Sequence, residues 1–273
     1  MTDRAPRPSA LVTVEALRSE LVGPQPPLVL DVRWALAGSD REGYLAGHVP
    51  GAVFVDLDGE LASPPGDGGR HPLPTADRLG ALTARVGASP DRRVVVLDGG
   101  AGGAAARAWW CLRWAGHESV RVLDGGFAAW VAAGGPVEVG DVEPVPATAV
   151  VVRPGSMPTV GVDAVLAGGG GVLLDARAAA RFRGEVEPVD PVAGHIPGAV
   201  SCPTGTVQSA DGRYLPPEDL RRALAAALGV DPGGLDAAGL ALRAGRLGGL
   251  PRRGLRRALV PLLAGRALRR PRQ

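Results

Sequence analysis

The chain says the same thing twice. LVLDVR at Leu28–Arg33, GHVPGAV at Gly47–Val53 and the Leu73–Pro74 pair are followed, in the same order, by VLLDAR at Val172–Arg177, GHIPGAV at Gly194–Val200 and Leu215–Pro216. The offsets between the copies are 144 for the aspartates, 147 for the Gly-His pairs and 142 for the Leu-Pro pairs. Three matched elements at nearly one spacing are the mark of a duplicated structural unit of about 145 residues. With 273 residues there is room for two such units, each able to bury its own core.

Within each copy, short apolar runs alternate with helical stretches. In the first copy the runs are LVLDV, AVFVDL, RVVVLD and SVRVLD, and the helices are expected at Val14–Leu21 after Thr13, Ala76–Val86 after Thr75, and Ala104–Ala115. The runs are nearly continuous Val and Leu, as strands covered on both faces require. Alternating strands and helices predict an α/β fold: two tandem modules, each a small parallel sheet flanked by helices. The reading places the first module at 1–135, a Pro-, Gly- and Val-rich linker at 136–158, and the second module at 159–234.

The repeat then breaks. A strand and loop matching Val94 onward would fall near position 240, but residues 235–273 contain no cysteine, no β run and no Trp. This aberrant tail holds ten Arg and one acid, Asp236, for a net +9, whereas residues 1–234 carry 20 Arg against 27 acids, a net of −7. Lys and Asn are absent from the whole chain, as a GC-rich coding sequence would give. The second module is therefore expected to be incomplete after about Gly234. A coding frameshift near Gly234 accounts for the change, with divergence to a basic tail as the other reading. Read one base later, the codons of Leu242–Leu250 permit Cys-Gly-Pro-Gly-Val-Ser-Ala-Ala.

DVR, GHVPGAVFVDLD, GRHPLP, ARAWWCLRWAGH and VRVLDGG, followed by DAR, RFRGE, GHIPGAV and DGRYLPPEDL, together resemble the two-domain rhodanese family of thiosulfate and 3-mercaptopyruvate sulfurtransferases. The resemblance runs from about Leu11 to Gly234. It implies a silent first module and a second module whose cysteine opens a short loop feeding a helix. That chemistry moves sulfane sulfur from thiosulfate or 3-mercaptopyruvate to cyanide or a thiol. A thiolate attacks the donor's sulfur, and inward-facing amides at a helix N-terminus hold the persulfide anion. An arginine holds the anionic donor.

Carried onto this sequence, the resemblance assigns donor binding to Arg181, with Arg183 beside it as the fallback. It sets Asp98, at the loop position of the silent module, where a nucleophile would be. It also makes Asp58 and His71 a pair that would orient and relay a proton to substrate, against the plain alternative of a solvated carboxylate and a capping histidine. No nucleophilic cysteine stands at the second module's loop position. Cys111, in the apolar helix AWWCLRW, reads as core, and Trp109, Trp110 and Trp114, at helical spacing, read as core or inter-module packing. Cys202 has no Gly-rich loop to activate it, and His48 and His195, recurring in both GHxPGA turns, read as turn-stabilising.

Other classes are bounded by composition. The four histidines are scattered, so no metal is expected, and no organic cofactor is implied. No apolar run is long enough to cross a bilayer and the first ten residues carry no signal core, so a cytoplasmic, membrane-free monomer is the expectation. Nucleic acid is not an expected partner, because nothing aromatic interleaves the tail's Arg pairs. The expected partners are a small anionic sulfur donor and a thiol or cyanide acceptor. A non-catalytic protein that binds a partner or anion through Arg181 is the alternative, and an Arg-tailed surface binder a weaker third.

Overall fold

The structure, a computed structural model, describes residues 9–66, 69–100, 102–147, 150, 152–166, 171–190 and 192–234. The expectations about the Arg-rich tail at 235–273 lie outside the described residues. The chain divides into two compact units, the first comprising 1–64, 71–157 and 210–213, the second the remainder.

In the first unit the elements run β1 (Leu11–Val12), α1 (Val14–Leu21), β2 (Leu28–Asp31), β3 (Trp34–Ala35), β4 (Gly38–Ser39), α2 (Arg41–Ala46), β5 (Val53–Phe54), α3 (Leu57–Glu60), α4 (Ala76–Arg85), β6 (Val94–Leu97), α5 (Gly103–Trp114), β7 (Val120–Leu123) and α6 (Gly126–Ala132). Five strands pair in parallel in the order β1-β7-β6-β2-β5. All four residues of β2 and of β6 are buried, which explains why β6 is wholly Val and Leu and why β2 departs from them only at Asp31. Successive side chains of these strands enter opposite layers. Leu28, Leu30, Val94 and Val96 pack with Leu79, Leu82 and Leu112 on one face, and Val29, Val95 and Leu97 with Leu17 and Trp130 on the other. Each such side chain contributes roughly 1.5–3 kcal/mol by leaving water. Thr13 and Thr75 cap α1 and α4, their hydroxyls accepting from Ala16 N–H and Arg78 N–H at 3.2 Å. The segment after α6 stays with this unit: Glu138 bridges His48, Ala147 N–H donates to Ala84 O, and Arg153 N–H to Ala115 O.

In the second unit α7 (Val162–Leu166) precedes β8 (Leu174–Asp175), α8 (Ala179–Arg183), β9 (Val200–Ser201) and α9 (Pro217–Leu228). Among the described residues its sheet is the single parallel pair β8–β9, and its core is small: Cys202, Leu224 and Ala225, with Leu174, Val207 and Leu220 packed around them.

The duplication is visible atom by atom. In the first unit Leu30 pairs with Val53 and Asp31 with Phe54; in the second, Leu174 pairs with Val200 and Asp175 with Ser201, the same positions of the repeat. After each strand an arginine binds the strand's aspartate and a glycine carbonyl. Arg33 reaches Asp31 at 3.2 Å and Gly47 O at 2.6 Å, and Arg177 reaches Asp175 and Gly194 O, both at 2.6 Å. Each following histidine sets Nδ1 against an aromatic residue's carbonyl and stacks on that ring, His48 on Tyr44 and His195 on Phe182.

Candidate functional site

In the first unit Asp98 directly follows β6, and a short Gly-rich loop leads from it into α5. The Asp98 carboxylate is buried beneath that turn and accepts four main-chain N–H groups: Gly100 at 2.9 Å, Gly102 at 3.0 Å, and Ala104 and Ala105 at 3.1 Å. Such a ring of amides at a helix start is an anion cradle, and here the chain's own carboxylate fills it. Gly102 opens the helix at φ +75°, a left-handed conformation that a side chain would strain. Gly126, at the head of α6, approaches so closely that a Cβ would stand 2.6 Å from Asp98 O. These bonds make a structural strand-to-helix turn of the stretch that begins at Asp98.

The two residues assigned to a proton relay do meet. His71 Nε2 lies 2.7 Å from Asp58 Oδ1, with the histidine buried and the carboxylate partly open to solvent. Trp34, unremarked in the sequence reading, completes the cluster: its indole N–H donates to Asp58 Oδ2 at 3.0 Å, and its ring stands edge-on to the imidazole, centroids 5.5 Å apart. Both carboxylate oxygens are thereby used. The shared-partner geometry could have been suspected only from knowing that the β3–β4 hairpin turns Trp34 toward α3. His71 Nδ1 meets no hydrogen-bond partner among the described residues.

In the second unit Arg181 is held by carboxylates. Its Nη2 lies 2.6 Å from Glu187 and 3.0 Å from Asp190, and this bonding draws the Glu187 carboxyl down to about 2. Arg183 is more exposed and forks onto Glu185 at 2.6 and 2.8 Å. Arg177 and Arg181 share Glu187, so the segment is a knit of alternating charges.

Both cysteines are buried, whereas His195 is exposed. Cys111 is fully buried, and burial pushes its thiol up to about 11 even with Arg107 nearby pulling the other way. Cys202 is buried behind β9, its Sγ 3.9 Å from the Thr206 hydroxyl, in a short 3-10 turn. Trp110 lies in the core, with Trp109 and Trp114 packed against it. His48 and His195 are occupied by the turn carbonyls already described. No group of three or more His, Cys, Asp or Glu side chains that could hold a metal is found among the described residues. No helix among them is long and apolar enough to cross a membrane.

Known proteins share this frame. The rhodanese-like domain model matches residues 13–133. A Mycobacterium tuberculosis protein named "Putative thiosulfate sulfurtransferase SseB" is 46% identical over 235 residues, covering 84% of this chain and 82% of its own. The "Probable 3-mercaptopyruvate sulfurtransferase" of Pseudomonas aeruginosa is 42% identical over 230 residues, covering 80% and 79%. The crystal structure of SseA from Escherichia coli, a 3-mercaptopyruvate sulfotransferase by its description, superposes with a TM-score of 0.67 at 31% identity, covering 79% of this chain and 82% of that one. By fold, repeated frame and sequence, this chain belongs to the rhodanese family of sulfurtransferases.

Proposed function

We propose that this chain is built to move sulfane sulfur from thiosulfate or 3-mercaptopyruvate to a thiol or cyanide, and that as written it lacks the thiolate the reaction needs. The supporting observation is the Asp98 turn. The first module makes a cradle of four amides for one buried anion, and a carboxylate, which cannot accept sulfur, stands there. The equivalent cradle of the second module would have to come from beyond Gly234, where the sequence offers no cysteine. With a cysteine in such a cradle, the thiolate would attack the donor's outer sulfur. The S–S or C–S bond would break with sulfite or pyruvate leaving, and the persulfide anion would remain on the amides.

Within this reading, Asp58 holds His71 so that Nδ1 can exchange a proton with a bound donor or product. Arg181 is the donor-binding cation, with Arg183 as its neighbour, and a donor anion would have to exchange places with Glu187 or Asp190. The modules extend over 1–135 and 159–234, joined by 136–158. The missing loop is a frameshift product, consistent with the Arg-rich composition of 235–273 and with the Cys-Gly-Pro-Gly-Val-Ser reading of the next frame.

The test has two parts. The coding DNA across codons 228–273 is translated in all frames, and the chain is assayed with both donors and cyanide beside a version carrying the restored frame. Activity in the restored chain alone is expected. A coding sequence with no rhodanese loop in any frame would sink the frameshift, and turnover by the chain as written would sink the missing thiolate.

A further inference from the structure

The mechanism leaves unused a buried cation beside the Asp58–His71 pair. Arg107 lies in the middle of α5 with 3% of its surface exposed, and among the described residues it pairs with no carboxylate. Its guanidinium is spent on carbonyls. Nε and Nη2 donate to Leu61 O at 3.0 and 2.9 Å, and Nη2 also donates to His71 O at 3.1 Å and Pro72 O at 2.9 Å. Burying a charge without a counter-charge is costly, and an apolar residue on this helix face would pack without that cost. Leu61 directly follows α3, whose second residue is Asp58, and His71 opens the return segment ten residues later. One rigid planar fork therefore ties the helix that carries the carboxylate to the main chain that carries the imidazole.

We infer that Arg107 is a positioning residue that holds His71 against Asp58 by clamping the carbonyls of Leu61, His71 and Pro72. The inference rests on reading Asp58 and His71 as the substrate-facing pair. Two further bonds reinforce the clamp, Ser63 N–H to Pro72 O at 3.2 Å and Ser63 Oγ–H to Leu73 O at 2.8 Å, but neither touches His71 itself. Cys111, one turn on along α5 with Sγ 3.9 Å from Leu61 O, stays a neutral thiol and supplies no countercharge.

The test is nitrogen-15 NMR of the imidazole rings in the full chain. The His71 ring N–H signal is assigned by its loss in H71Q, and the His48 ring N–H, bonded to Tyr44 O in the same unit, is the internal control. In R107M the His71 ring proton is expected to exchange at least about tenfold faster with solvent while the His48 signal holds, and R107K is expected to restore part of the protection. His71 protection equal to the parent in both variants would overturn the inference. Collapse of the His48 signal in both would also overturn it, because Arg107 would then serve the whole fold and not the pair. If R107M alone collapses, R107K decides by the same comparison. Should H71Q leave sulfur transfer unchanged in a frame-restored chain, the relay reading fails while the ring measurement still stands on its own.

Discussion

Replacing Asp98 by Asn keeps the shape of the side chain and removes its charge. Four amides converge on the two carboxylate oxygens at 2.9–3.1 Å, two on each. An amide in the same place can accept from only one pair and turns an NH2 group toward the other, donor against donor. Hydrogen bonds to a buried charge contribute roughly 1.5–3 kcal/mol each, so losing two, with some relaxation of the turn, costs about 3 kcal/mol. For a unit of this size that loss corresponds to a fall in Tm of about 6–12 °C. All five tryptophans of the chain (Trp34, Trp109, Trp110, Trp114 and Trp130) lie in the first unit, so a thermal melt followed by Trp fluorescence reads this unit alone. A D98N melt within about 2 °C of the parent would refute the argument that the cradle binds an anion, since a neutral turn would not notice the change.

Asp31 is buried with one oxygen unpartnered, and burial pushes its carboxyl up to about 7 against the pull of Arg33. A carboxyl raised on folding binds its proton more tightly in the native state. Its stabilisation is complete below the unfolded value near 4 and is lost as pH rises through about 7. D31N should therefore flatten the fall in Tm of the first unit between pH 5 and pH 8, and an unchanged slope would contradict the assignment. G126A should destabilise the first unit by roughly 2 kcal/mol or more, because its Cβ has no room against Asp98 O and its φ of +58° disfavours a side chain; chemical denaturation measures this, and a neutral result would refute it. Neither Cys111 nor Cys202 should react readily with iodoacetamide in the folded chain, with labelling at least about a hundredfold slower than in denaturant; fast labelling of Cys202 would reopen it as a nucleophile.

The fold was legible because the repeat is written in residues that do structural work. The aspartate that ends β2 and β8, the arginine two residues on and the histidine of each GHxPGA turn are spaced alike because each arginine bonds its aspartate and a glycine carbonyl and each histidine an aromatic residue's carbonyl. Thr13 and Thr75 announced their helices by capping them. The site was half legible. Asp58 and His71 were singled out by motif, but neither Trp34 nor Arg107 carries a local signal. Trp34 reads as an apolar residue after a strand, and Arg107 as one arginine among thirty, until folding brings one onto Asp58 and the other beneath the His71 main chain. Nor could spacing foretell that Arg181 would be shared between Glu187 and Asp190, since ion pairing within a turn depends on how the turn closes. The place of Asp98 in the motif is legible in the sequence, but the four amides that its carboxylate accepts become visible only once the turn closes over it.

The most direct measurement is intact-protein mass spectrometry after exposing the purified chain to thiosulfate or 3-mercaptopyruvate. If sulfur transfer needs a thiolate cradled by amides and neither Cys111 nor Cys202 is so placed, the mass stays that of the unmodified polypeptide. A gain of one sulfur atom that a thiol or cyanide then removes would contradict the account.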